Sequence, residues 1–259
     1  MTPPTRATTA ARAYLDLHNK ARQDRRPVDE LMQLYVLESF LARMYLTRAA
    51  GRFVLKGGLL LAVFGERRPT RDIDLQAQAI GSDPGTVLAA MTASLAAARP
   101  SLHIDVSVGD PITPAPRIVH LPRILGGTIA VPGYPLAMVH AEKIVTAIAR
   151  GTASTRWRDF ADMYVLARHH PIDGTELGAS IREVARHRGT RLAPLSNVLD
   201  GYGAIGQQRW EAWRRKQRLD DRLPSQFSEV VVAVVAFADP AITGMSEDQS
   251  WNPATAMWL

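Results

Sequence analysis

The sequence has 259 residues, of which 46% are hydrophobic and 22% charged, enough chain for one large domain or two small ones around a sizeable core. It contains no cysteine, which excludes disulfides and thiolate metal sites. The first twenty residues lack an apolar signal core and no apolar run approaches a membrane span of roughly 20 residues, so a cytoplasmic protein with no membrane partner is expected. Lys and Arg total 31 against 25 Asp and Glu, a net charge of +6; this basic, arginine-dominated balance suits phosphate and nucleic acid, or marks no more than an arginine-rich composition.

In chain order, residues 8–23 and 28–47 carry helical spacing. In the second, Leu31, Leu34, Tyr35, Leu37, Leu41 and Tyr45 recur at helical intervals and Pro27 stands at the first turn. "RFVLK" (52–56) reads as a short strand, followed by Gly57-Gly58 and a brief apolar helix. "TRDIDLQ" (70–76) alternates with period two and reads as a strand, whereas 84–98 reads as a helix opened by proline. "SLHIDVSV" (101–108) alternates again, with His103, Asp105 and Ser107 on one face. "RIVHL" and "GTIAVPG" are further strands around Gly126-Gly127. From Pro135 the pattern is helical, with "VVVAVVAFA" (230–238) a buried helix and a polar tail after Asp239. This order predicts an α+β fold: a small mixed sheet at about 52–131, flanked by helices, and a helical C-terminal lobe. The expected division is 1–132 and 133–259.

Asp72 and Asp74 lie two residues apart on a strand, so they share a face, with Ile73 on the other. Two carboxylates this close repel unless a cation lies between them, and hard oxygen ligands at that spacing suit Mg²⁺. A bare Asp-x-Asp has another reading, a solvated strand whose acids pair with Arg68 or Arg71. The preceding Gly57-Gly58 favours the first, because a glycine pair at a helix start lets a phosphate approach backbone N–H groups. Thr70 should share the acids' face, whereas Arg67 and Arg68 receive no role. Further along, Lys143 falls within the apolar stripe of Leu136, Val139, Ile144, Ala147 and Ile148, where a lysine either snorkels to water or meets an anion. Asp159 stands in the first turn of the next helix, where an acid complements the dipole, and Asp162 points further towards solvent. "RWEAWRRKQR" (209–218) mixes two tryptophans with five basic residues; the tryptophans read as core and the bases as a solvated or RNA-facing surface.

"FVLKGGLLLAVFGERRPTRDIDL" resembles the opening motif of the nucleotidyltransferase superfamily typified by polymerase beta, and more closely the AbiEii/AbiGii toxins of abortive-infection and toxin–antitoxin systems. The similarity continues through "IDVSVGDPITPAP", "YPLAMVHAEKIVTAIARG" and "STRWRDFADMYVL", spanning about 30 to 240. The resemblance implies a nucleotidyltransferase core in 1–132. It also implies a toxin that transfers NMP from an NTP to an acceptor hydroxyl, the tRNA 3′ end by family analogy, and that has a cognate antitoxin. Mg²⁺ (or Mn²⁺) would be held by Asp72 and Asp74, with Asp105 as a third acid. Gly57 and Gly58, helped by Lys56 and Arg71, would bind the nucleotide, and Lys143 and Asp159 would complete the catalytic set. Two positions depart from the pattern: Leu59 replaces the Ser or Thr that often follows the glycine pair, and Ala137 stands where the family tends to carry Glu. The rival readings are transfer to a protein or small molecule, and a non-catalytic nucleic-acid-binding protein.

Overall fold

The computed structural model describes residues 7–47, 50–78, 85 and 102–259. The fold is α+β, and the chain divides into two compact units: Met1–Gly109 with Arg117–Gly133, and Asp110–Pro116 with Tyr134–Leu259.

The first unit opens with α1 (Thr9–Gln23), whose first turn is closed by Thr8 Oγ1 accepting from the Ala11 N–H, and α2 (Val28–Met44), which starts directly after Pro27. Leu17 and Ala21 of α1 pack with Leu31 and Ile124 in a buried cluster. Helix α2 stops at Met44, short of the expected 47, in a turn whose Tyr45 hydroxyl donates to the Phe53 carbonyl. Then come β1 (Phe53–Lys56), α3 (Gly57–Leu60) and a 3₁₀ turn over Leu61–Phe64 that ends at left-handed Gly65, φ 76°. The remaining strands are β2 (Asp72–Ala77), β3 (His103–Val108), β4 (Arg117–Pro122) and β5 (Thr128–Gly133). Together they form a five-stranded sheet in the order β3-β2-β1-β5-β4. Strand β1 runs antiparallel to β2 and parallel to β5, while β2 and β3 are parallel. The helix expected over 84–98 lies outside the described residues, apart from helical Gly85.

Register fixes which side chains meet. Asp74 stands opposite Lys56 on β1 and opposite Asp105 on β3, and Asp72 stands opposite His103. Paired residues project to one face, so Lys56, Asp72, Asp74, His103 and Asp105 share a side of the sheet. The opposite side carries Phe53, Leu55, Ile73 and Leu75, all fully buried.

The second unit is built on α4 (Leu136–Arg150), α5 (Trp157–His169), α6 (Gly174–Arg188), α7 (Leu195–Val198), α8 (Tyr202–Lys216) and α9 (Phe227–Thr243). Pro135 precedes α4 and Gly151, at φ 51°, ends it, so the breakers act where the pattern places them. The core contains an aromatic cluster of Trp157, Phe160, Tyr202, Trp210 and Phe227, with ring centroids 5.0–5.7 Å apart. Trp210 is fully buried, as its helical spacing implies.

The C-terminal segment departs from the polar tail expected after Asp239. After α9, β7 (Ser250–Asn252) and β8 (Met257–Trp258) form an antiparallel pair joined by β6 (Ile172–Asp173) in a second sheet, β6-β7-β8. Two indoles fasten it: Trp251 Nε1 donates to the Ala167 carbonyl at 2.6 Å and Trp258 Nε1 to the Phe237 carbonyl at 3.1 Å.

Candidate active site

Strand β2 and its neighbours assemble a carboxylate cluster. One ligand oxygen from each of Asp72, Asp74 and Asp105 lies within 4.8 Å of the others. Asp72 and Asp74 are half-buried and Asp105 is exposed, so the cluster opens to solvent on the β3 side. Each acid is held by a donor. Thr70, itself buried, gives its hydroxyl to Asp72 Oδ1 at 2.7 Å; the Gly58 N–H reaches Asp74 Oδ2 at 3.3 Å; His103 Nε2 lies 3.3 Å from Asp105 Oδ1. Burial and then the Asp72 charge push the Asp74 carboxyl above its ordinary range, with Asp105 adding to the rise; the Gly58 N–H and Lys56 pull the other way. A cation among the three oxygens would relieve this repulsion, and the all-carboxylate donor set fits a hard divalent ion.

The glycine pair has a role that its sequence does not disclose. Gly57 adopts φ +64°, and a β-carbon there would lie 1.8 Å from Asp74 Oδ2. Glycine is therefore required for Asp74 to reach the backbone, and the Gly58 N–H is turned onto that same carboxylate. Lys56, at the end of β1, has its Nζ 3.5 Å from Oε1 of fully buried Gln76.

The arginines between Gly65 and β2 separate by environment. Arg67, a residue without a role in the sequence reading, is anchored: its guanidinium donates to the fully buried carboxylate of Glu38 and to the Pro122 carbonyl, and Glu38 also accepts the Ile124 N–H at 2.8 Å. Arg71 is exposed, and its carbonyl accepts from Gln33 Nε2 of α2 at 3.2 Å. Arg68 is half-buried, with Nη1 3.2 Å from the position a β-carbon on Gly58 would occupy. Glu38 and Gln33 escaped the sequence reading because their partners lie 29 and 38 residues away.

In the helical unit, Lys143 neither snorkels nor faces an open space. Its ammonium donates to Asp159 Oδ1 and Asp162 Oδ2, both at 2.9 Å, and Arg156 Nε donates to the other Asp159 oxygen. Burial pushes the Asp159 carboxyl up, but Lys143 and Arg156 outweigh it and hold the group below its ordinary value. Asp162 corrects the expectation that it points to solvent: it is 6% exposed and shares the ammonium. The i, i+3 spacing of the two acids on one helix was the available signal. One turn before Lys143, His140 is fully buried, its ring 4.7 Å from that of Phe237, with neither nitrogen hydrogen-bonded among the described residues.

The family model described as "Nucleotidyl transferase AbiEii toxin, Type IV TA system" matches residues 39–98 and 76–233. The chain belongs to this family. The two matched segments overlap and together run from 39 to 233, taking in the glycine pair, the three β-strand acids, Lys143, Asp159 and Asp162. No curated protein matches the chain. Membership makes the chain an AbiEii-type nucleotidyltransferase toxin and implies a cognate antitoxin as partner. Among the described residues, no helix is long and apolar enough to cross a membrane.

Proposed function

We propose that this AbiEii-family toxin transfers NMP from an NTP to the 3′-terminal hydroxyl of tRNA, with release of pyrophosphate, and so blocks translation. The observation that carries the reading is the carboxylate cluster on the sheet face: three acids with ligand oxygens within 4.8 Å, two of them held by backbone and hydroxyl donors that fix their orientation. Asp72, Asp74 and Asp105 would hold Mg²⁺ or Mn²⁺. When bound, such an ion neutralises triphosphate charge and acidifies the attacking hydroxyl. The chain's own groups do the rest. Thr70 and Gly58 keep Asp72 and Asp74 in place without a rearrangement, while Gly57, Gly58, Lys56 and Arg71 supply the close backbone and positive charge that a nucleotide needs. Lys143 and Asp159 of the helical unit are further residues that transfer would require, Asp159 as the acid that holds the Lys143 ammonium in place. The basic balance of the chain, +6, favours RNA as the acceptor.

Sequencing the 3′ ends of cellular RNA after induction of the toxin tests this. The expected result is untemplated nucleotides on tRNA ends, absent when Asp74→Asn replaces the wild type. Unaltered RNA ends together with nucleotide-labelled protein would overturn the tRNA assignment in favour of protein as the acceptor.

A further inference from the structure

We propose that Arg68 is a phosphate-contacting residue of this site, its guanidinium gripping the distal phosphates of the incoming NTP. The proposal rests on the nucleotidyl-transfer reading above and names a residue that the reading does not use.

A nucleotide at this site needs positive charge beside it. Three carboxylates crowd one sheet face, and a triphosphate brings further negative charge. Helix α3 has only four residues, too short for an appreciable macrodipole, and the Gly58 N–H is already given to Asp74. Besides a metal ion held by the carboxylates, side-chain cations are therefore the groups left to balance the nucleotide. Of the three arginines in the loop, Arg67 is bound to Glu38 and Pro122, and Arg71, already used in the reading above, is exposed. Arg68 alone among them lies against the glycine pair. A β-carbon on Gly58 would stand 3.2 Å from Arg68 Nη1 and 2.7 Å from Thr70 Oγ1, so guanidinium, hydroxyl and bare α-carbon converge on one spot. Thr70 in turn bonds Asp72, which ties this spot to the carboxylate cluster.

The loop is also built to hold Arg68 still. Arg67 anchors the chain on one side; on the other, Gln33 holds the Arg71 carbonyl and Thr70 is 4% exposed. Arg68 Nη1 further touches the Pro69 carbonyl at 3.4 Å, within the same loop. A planar guanidinium fixed beside a glycine backbone suits bidentate recognition of phosphate oxygens, which an ammonium cannot reproduce.

The test compares wild type, Arg68→Gln, Arg68→Lys and, as a control for lost charge, exposed Arg43→Gln. Affinity for an NTP analogue with a methylene between the α- and β-phosphates is measured in Mg²⁺. Binding of Mn²⁺ alone is followed by electron paramagnetic resonance, and thermal melting reports folding. The proposal predicts at least tenfold weaker analogue binding for Arg68→Gln, an intermediate loss for Arg68→Lys, and less than threefold for Arg43→Gln. Mn²⁺ affinity should stay within twofold throughout. Analogue binding by Arg68→Gln within threefold of wild type would overturn it. So would a parallel loss of Mn²⁺ binding or of folding in both Arg68 variants, which would make Arg68 a support for the carboxylates. Failure of the wild type to bind the analogue would instead remove the nucleotidyl-transfer reading, and this proposal with it.

Discussion

Replacing Gly57 by alanine would put a methyl group 1.8 Å from Asp74 Oδ2 in a residue already at φ +64°. Left-handed strain and overpacking together should cost about 2–4 kcal/mol, or else Asp74 must leave its place on the Gly58 N–H. Urea unfolding and Mn²⁺ titration of Gly57→Ala should show a loss in one or both; unchanged stability with unchanged Mn²⁺ affinity would contradict the packing described here. Lys143 makes a second case. Lys143→Met leaves Asp159 and Asp162, 8% and 6% exposed, to share a buried site without their common cation. The expected destabilisation is about 3–5 kcal/mol, less in Lys143→Met/Asp162→Asn. Equal loss in the single and double variants would argue against a shared ammonium. Lys143 was legible as a polar residue on an apolar stripe, but its partners were not. A helical wheel gives directions, and the partner helix decides whether an acid at the edge of a face meets water or a lysine.

Elements were legible in proportion to their length and regularity. The alternation of "DIDL" and "HIDV" predicts strands β2 and β3 and the shared face of their acids, and both are observed. Their parallel pairing, which brings Asp74 opposite Asp105, is a long-range fact that no local period contains. The C-terminal sheet was missed because β6, β7 and β8 have only two or three residues, too few to alternate visibly, and their hold comes from two indole hydrogen bonds. The arginine loop gives a test at this scale. Glu38→Gln keeps the size of the side chain but removes the charge that Arg67 and the Ile124 N–H share. A loss of about 1–3 kcal/mol in denaturant unfolding is expected, with weaker Mn²⁺ binding as the loop that carries Thr70 loosens. Loss of stability without any change in metal affinity would uncouple the loop from the site.

Over the whole molecule, stability should depend on pH through a group remote from the carboxylate cluster in sequence. Burial, then the charges of Lys143 and His170, push His140 from 6.5 down to about 3. Below pH 6.5 the unfolded chain takes up this proton and the folded chain does not, so stability is full above that value and declines as pH falls towards 3, with a limiting slope of about 1.4 kcal/mol per pH unit. Asp159, held low by its ion pairs, adds its own loss only below its ordinary value of 3.8. Between pH 7.5 and 5 the decline should therefore be shallower in His140→Leu than in wild type; identical slopes would remove His140 as its source.

Nucleotidyl transfer should depend on the carboxylates of the β2–β3 face. Incubation of purified protein with an α-phosphate-labelled NTP, Mg²⁺ and deacylated tRNA measures it most directly. Wild type should place label at the tRNA 3′ end, with a loss of at least about a hundredfold in Asp72→Asn and in Asp74→Asn, each still folded. Label on tRNA that persists at the wild-type rate in both variants would contradict it.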